Sequence, residues 1–66
     1  MQILVNGETT EVPAGTTVAE VVARRGLPPQ VVAVEVNQEL VPRAEREAWS
    51  LVEGDRVELV TLVGGG

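Results

Sequence analysis

Cysteine, histidine and lysine are all absent from this 66-residue sequence, which also contains a single aromatic residue, Trp49. Without cysteine and histidine the chain has no disulfides, thiolate nucleophiles, Cys/His zinc sites or imidazole base. A chain of this size buries only about 60% of the surface that it exposes when unfolded, which leaves little stability for a desolvated polar pocket. We therefore expect no enclosed active site, no metal site and no enzymatic activity.

Positive charge is also scarce. Five arginines stand against ten acidic residues, and the net charge of −5 would repel a phosphate backbone. No stretch approaches the roughly 20 apolar residues of a membrane span, and the first residues indicate a strand rather than a signal peptide. We expect a cytoplasmic protein that binds neither nucleic acid nor a membrane.

The first half of the sequence predicts a hairpin and a helix. Residues 2–6 and 9–12 indicate two strands, and the Asn6–Gly7 dipeptide between them is typical of a two-residue turn. Thr17 and Glu20 have the spacing of a capping box, and the valines that follow share one helical face. Gly26 suits the left-handed residue beyond a helix C-terminus, and the two prolines after it prevent continuation.

The second half predicts strands at residues 31–36, 40–41 and 56–63, a turn at 37–39, and one or two helical turns within 44–50. Trp49 is expected to cover one edge of the core rather than to stack on a ligand. This order favours the β-grasp arrangement, an α+β fold with a mixed sheet of four to five strands and one main helix across one face. The first and last strands are the most apolar, so we expect them to lie side by side and parallel at the centre.

Strand alternation predicts an apolar surface, because one helix covers only one face of the sheet. The residues expected to face the helix are Ile3, Val5, Val34, Val36, Val57 and Leu59. Leu4, Val60 and Leu62 remain on the uncovered side, and together with Val63 they form the predicted partner interface. The alternative is that the segment around Trp49 folds back and covers part of this surface.

Residues 1–63 are thus expected to form the domain, and Gly64, Gly65 and Gly66 a flexible tail. Terminal glycines are commonly frayed, and fraying alone could explain three glycines at a chain end. Here a strong strand leads into them, and a stalk without side chains lets another protein approach the Gly66 carboxylate closely. A carboxylate must be activated, for example as an acyl-adenylate, before it reacts. Since the sequence has no phosphate-binding glycine loop, the ATP must be bound by a partner enzyme.

At the level of motifs the whole chain resembles the ThiS family of sulfur carriers, relatives of ubiquitin and of the small subunit of molybdopterin synthase. The resemblance is carried by Met1-Gln2-Ile3 with Asn6, Thr17-Val18, Val36-Asn37-Gln38, Val41-Pro42-Arg43, Trp49, Gly54-Asp55 and Gly65-Gly66. Gly64 is a departure, because family members often have another residue there. A third glycine should loosen the tail without changing its chemistry.

The resemblance implies that a ThiF-like enzyme adenylates Gly66 with ATP, that a sulfur donor protein converts it to a thiocarboxylate, and that a ThiG-like thiazole synthase receives the sulfur. No cofactor would be bound by the chain itself. Carriers for molybdopterin and for tRNA thiolation share the fold and the Gly-Gly end, so sulfur carriage for those pathways is an alternative. Two further alternatives are a ubiquitin-like protein modifier and a regulatory or nucleotide-sensing module.

Two further polar residues are candidates for a partner surface. Residues such as Arg43 and Glu35 are more often ordinary solvated charges than partner contacts, and neither is assigned a catalytic role.

Overall fold

The computed structural model describes residues 1–62, which form one mixed five-stranded sheet with a helix across one face. The strands are β1 (Gln2–Val5), β2 (Glu8–Glu11), β3 (Val32–Val36), β4 (Glu39–Leu40) and β5 (Arg56–Thr61), and the helix is α1 (Val18–Arg24). Their order across the sheet is β2-β1-β5-β3-β4. This is the β-grasp arrangement that the sequence predicts.

The first and last strands lie side by side at the centre, as predicted. β1 and β5 are parallel, with Leu4 opposite Arg56 and Val5 opposite Val57. On its other side β5 pairs with β3 in antiparallel fashion. The strand that leads toward the C-terminal glycines is therefore the middle strand of the sheet.

The hairpin and the helix form for the reasons that the sequence suggests. Asn6 and Gly7 have φ angles of 50° and 80°, as a two-residue type I′ turn requires. At the start of α1 the Thr17 hydroxyl accepts a hydrogen bond from the Glu20 N–H at 3.2 Å. The Glu20 carboxylate in turn accepts one from the Thr17 N–H at 2.8 Å. Beyond α1, Gly26 has a φ of 69°.

The core lies between α1 and one face of the sheet. All six strand residues predicted to face the helix are buried, and so are the helix residues Val18, Val21 and Val22. Trp49 is half-buried and packs against this core, as predicted. Its carbonyl accepts a hydrogen bond from the Val18 N–H at 3.0 Å. The segment around Trp49 therefore lies beside α1 and does not fold back over the opposite face.

Several predicted boundaries are wrong. The helical turns predicted within 44–50 are limited to a single 3₁₀ turn, Arg43–Glu45, and Ser50 forms an isolated bridge with Thr17. The predicted strand at 31–36 loses its first residue to another 3₁₀ turn, Pro29–Val31. β2 and β4 each begin and end one residue earlier than predicted, and β5 ends at Thr61. Val63 lies outside the described residues, as do the three glycines of the predicted tail.

Arg46 explains the departures around residues 29–31 and 44–50. Its guanidinium Nη1 donates to the Pro29 carbonyl at 3.0 Å, and its Nη2 donates to the Val32 carbonyl. The side chain is only 6% exposed. Burial first, and the charge of Arg43 second, lower the pKa of the Arg46 guanidinium. These long-range hydrogen bonds hold residues 43–48 against the start of β3 and favour a tight turn over a regular helix.

Candidate docking face and C-terminal segment

The face of the sheet opposite α1 carries the residues that the sequence predicts as a partner interface. Val60 and Leu62 are each 56% exposed, and Leu4 is half-buried. Val60 lies opposite Ala33, whose small side chain leaves the flank of the valine uncovered. We call this side of the sheet the open face. Val60 and Leu62 lie together at the end of β5, whereas Leu4 lies opposite Arg56 at the start of that strand, with Glu58 in between.

Sequence reasoning missed one apolar member of the open face. Leu40 is 62% exposed, and the β3–β4 register places it opposite Glu35, on the side away from α1. Its position follows from the pairing of a two-residue strand, β4. Such a short strand has no alternation of its own, so only the length of the turn before it could have indicated the face.

Next to Val60, toward the start of β5, the open face is acidic. Glu35 and Glu58 lie directly opposite each other on β3 and β5, and both are exposed. The ion pair found within residues 1–62 joins Arg25 to Glu8 at 3.7 Å and involves neither of these carboxylates. Like charges facing each other across strands lower the stability of a sheet. The two carboxylates are thus exposed side by side, and the closest cation on the same face of β5 is Arg56, two residues before Glu58, which forms no ion pair with them.

A shallow depression of about 620 Å³ adjoins this acidic pair. It is lined by Leu4, Gly7, Gln38, Arg56 and Glu58, together with Asn37 and Val57. Its mixture of apolar, amide and charged groups is suited to contact with a protein side chain. None of the residues that line it is a histidine or cysteine.

Glu35 and Arg43, the two further candidates, lie in different places. Glu35 belongs to the open face. Arg43 lines a cleft beside α1 together with Arg46 and Glu47. The structure therefore brings Glu35, but not Arg43, to the same side of the sheet as Leu4, Val60 and Leu62.

The sheet holds the chain as far as Leu62. Thr61 pairs with Val32, and the Leu62 N–H donates to the Val31 carbonyl at 2.6 Å. Val63, Gly64, Gly65 and Gly66 lie outside the described residues, so the predicted tail stays a prediction. Because Val60 and Leu62 come shortly before these residues in the sequence, a protein bound to the open face would contact the chain close to where the predicted tail begins.

Two further kinds of functional feature are absent from residues 1–62. No helix there has both the length and the apolar character needed to cross a membrane. No group of three or more histidine, cysteine, aspartate or glutamate side chains in the same residues is arranged to hold a metal ion.

Comparison with known proteins gives consistent matches over the whole chain. The model of the ThiS family matches residues 3–66. The sulfur carrier protein ThiS of Escherichia coli is 32% identical over 66 residues, which span all of both chains. The thiazole synthases of Paramagnetospirillum magneticum and Magnetococcus marinus are 35% and 41% identical over the same length. The chain spans 20% of the length of each of these two synthases.

A solved structure is equally similar. The crystal structure of the thiamine biosynthesis protein ThiS from Geobacter metallireducens superposes with a TM-score of 0.85 at 30% identity, and each chain is covered in full. The β-grasp fold of the present chain is thereby established by an experimental relative. With the family model, a curated relative of equal length and this structure in agreement, the chain belongs to the ThiS family.

Proposed function

We propose that this chain is a sulfur carrier of the cytoplasm rather than a catalyst, and that the Gly66 carboxylate carries the sulfur. In the first step a carboxylate oxygen of Gly66 attacks the α-phosphate of ATP on a ThiF-like enzyme and pyrophosphate leaves. In the second, a sulfide equivalent from a sulfur donor protein attacks the acyl carbon. The carbon–sulfur bond forms, the carbon–oxygen bond to AMP breaks, and a thiocarboxylate remains.

The observation that carries this proposal is the position of the open face relative to the glycines. Val60 and Leu62 are exposed apolar residues of the same chain segment that leads into Gly64, Gly65 and Gly66. Ordering a glycine stalk costs about 1 to 2 kcal/mol per residue, so the tail alone cannot hold an enzyme. Docking of the open face offsets that cost and brings the carboxylate to the partner's active site.

The sulfur is proposed to pass to a ThiG-like thiazole synthase. Support comes from the two thiazole synthases described above, in which a segment similar to this chain forms part of a longer protein. A carrier joined to its acceptor in one chain has a high effective concentration. By analogy, a separate carrier has to bind the synthase through a surface of its own, and the open face is the surface available.

Intact-mass spectrometry tests the proposal. The chain is incubated with the ThiF-like enzyme, ATP and a sulfide source, and the expected product differs from the starting protein by one oxygen exchanged for sulfur. Removal of Gly65 and Gly66 should abolish the product. Gly64→Ala is the control and should form it, because the substitution leaves the terminal carboxylate in place.

Two other outcomes would redirect the proposal. Persistent isopeptide linkage of Gly66 to lysines of other proteins would indicate a ubiquitin-like modifier. Thiocarboxylate that serves molybdopterin or tRNA thiolation, but not a thiazole synthase, would support carriage and contradict the thiazole acceptor. An unmodified mass in the presence of active enzyme would contradict sulfur carriage itself.

A further inference from the structure

The last part of β5 has a partner strand on one side only. β1 pairs with β5 at Arg56 and Val57, whereas β3 pairs with it as far as Thr61. The Arg56 carbonyl and the Leu62 N–H both bond toward the β3 side. In an antiparallel pair, alternate residues direct both backbone groups toward the partner. Leu59 and Thr61 therefore direct theirs toward the β1 side.

Backbone groups on that side are satisfied only in part. The Val57 carbonyl accepts from the Asn6 N–H at 2.9 Å, and the Leu59 N–H donates to the Asn6 side-chain oxygen at 2.8 Å. Beyond that point β1 has turned away into the hairpin. The Leu59 carbonyl and the N–H and carbonyl of Thr61 find no hydrogen-bond partner among residues 1–62. We call these three groups the β5 edge.

The corresponding gap on β3 is closed. β4 ends at Leu40, after which the Val41 N–H donates to the Val34 carbonyl at 2.9 Å. The next outward carbonyl, that of Val32, accepts from the Arg46 guanidinium. Proteins usually cover or charge an unpaired edge, because it is a template for another strand. The outer side of β3 is thus covered, whereas the β1-facing side of residues 59–61 is not, and it directly precedes the predicted tail.

We propose that the β5 edge binds an extended segment of the adenylating enzyme, which adds to the sheet as a strand beside residues 59–61. The inference rests on the proposed function, since it names how that enzyme is held. Main-chain hydrogen bonds would continue the docking of the open face toward Gly64. They would also fix the direction in which the tail leaves the sheet.

The side chains around the β5 edge specify the chemistry of the segment. Val60 and Leu62 flank it on the open face and favour an apolar side chain. Glu58, with Glu35 directly opposite, favours a lysine or arginine. A second copy of this chain is a poorer occupant, because its own net charge is −5 and it would bring another acidic pair to the same seam. A segment fits if every second residue faces the open face and those positions include an apolar side chain beside Val60 and a basic one beside Glu58.

The test removes one hydrogen-bond donor without changing a side chain. In a synthetic full-length chain, the amide before Thr61 is replaced by an ester, which deletes the Thr61 N–H. Thr9 provides a matched control, since it is a threonine of the outer strand β2. The hydrogen bond from the Val12 N–H to the Met1 carbonyl sets the ladder pattern, and by alternation the Thr9 N–H points away from the sheet. In both variants the ester also makes the carbonyl of the preceding residue a weaker hydrogen-bond acceptor, so this side effect is matched.

Affinity for the adenylating enzyme is measured by isothermal titration calorimetry. The Thr61 ester should bind about three- to tenfold more weakly than the Thr9 ester, the loss expected for one hydrogen bond. Thr61→Pro against Thr9→Pro repeats the comparison in recombinant protein. Glu58→Gln should flatten the salt dependence of binding. Glu39→Gln, on β4 opposite the helix-facing Val36, should leave it unchanged.

Equal affinities of the two esters would overturn the inference, as would a Thr61 ester that alters only self-association in sedimentation experiments. The mass assay on the unsubstituted chain tests the proposed function separately. A chain that acquires sulfur while the Thr61 ester binds normally would contradict the strand addition alone.

Discussion

Replacement of Arg46 by alanine should destabilise the fold more than replacement of any other arginine. Arg46 is the buried cation that joins residues 43–48 to the start of β3 through the Pro29 and Val32 carbonyls. Arg43, only three residues earlier, is exposed and makes no side-chain hydrogen bond within residues 1–62. The two positions therefore form a matched pair with the same change of charge.

The magnitude follows from the contacts. Each hydrogen bond to a charged group contributes about 1.5 to 3 kcal/mol. Part of this is offset, because the guanidinium was desolvated and its Nε atom is buried without a partner in the described part of the chain. Water that enters the adjoining cleft can also solvate the freed carbonyls. We expect Arg46→Ala to lower the free energy of unfolding by about 2 to 4 kcal/mol, and Arg43→Ala by at most about 0.5 kcal/mol.

Urea unfolding followed by Trp49 fluorescence measures both variants, since this residue packs against the core. Arg46→Lys should fall between them, because an ammonium group cannot fork to two carbonyls as a guanidinium does. The reasoning would be refuted if Arg46→Ala unfolded within about 0.5 kcal/mol of the unsubstituted chain. It would also be refuted if both arginines cost the same.

The remaining predictions concern the open face and the support of β5. Val60→Ser combined with Leu62→Ser should weaken binding to the adenylating enzyme by about 10- to 100-fold in calorimetry, through lost apolar burial. Val52→Ser, at 61% exposure but outside the strands, should not change the affinity, and equal effects would exclude the open face as the docking site. Asn6→Gly should cost about 1 kcal/mol in urea unfolding through the lost bond to the Leu59 N–H. Asn6→Ala should cost about 1 kcal/mol more than Asn6→Gly, because alanine resists the φ of 50°. Equal free energies of unfolding for these two variants would contradict that explanation.

The parts of the fold that depend on local patterns could be predicted from the sequence. The Asn6–Gly7 turn, the Thr17–Glu20 capping box and the two faces of the strands each follow from residues close together in the chain. The same alternation predicts that Val60 and Leu62 lie on the open face. The parallel pairing of β1 with β5 also follows, because the two most apolar strands gain most from the centre.

Features that depend on distant contacts could not be predicted. The turn at Arg43–Glu45 is held by Arg46 bonding to residues 14 and 17 positions earlier, which no local pattern reveals. The β5 edge exists because β1 stops at Val5 while β3 accompanies β5 to Thr61, a difference set by register. A sequence shows that strands exist, but the relative offset of their ends decides which backbone groups stay free.

The central position of β5 also determines how the protein bears load. If, as proposed, an enzyme draws the residues after Leu62 into its active site, the pull would run along β5, which is bonded to β1 on one side and to β3 on the other. Hydrogen bonds that lie across the direction of a pull are strained together instead of opening one after another. Tension at the tail would therefore be resisted by the whole middle of the sheet. The carrier could then be pulled by one partner, released and used again without unfolding.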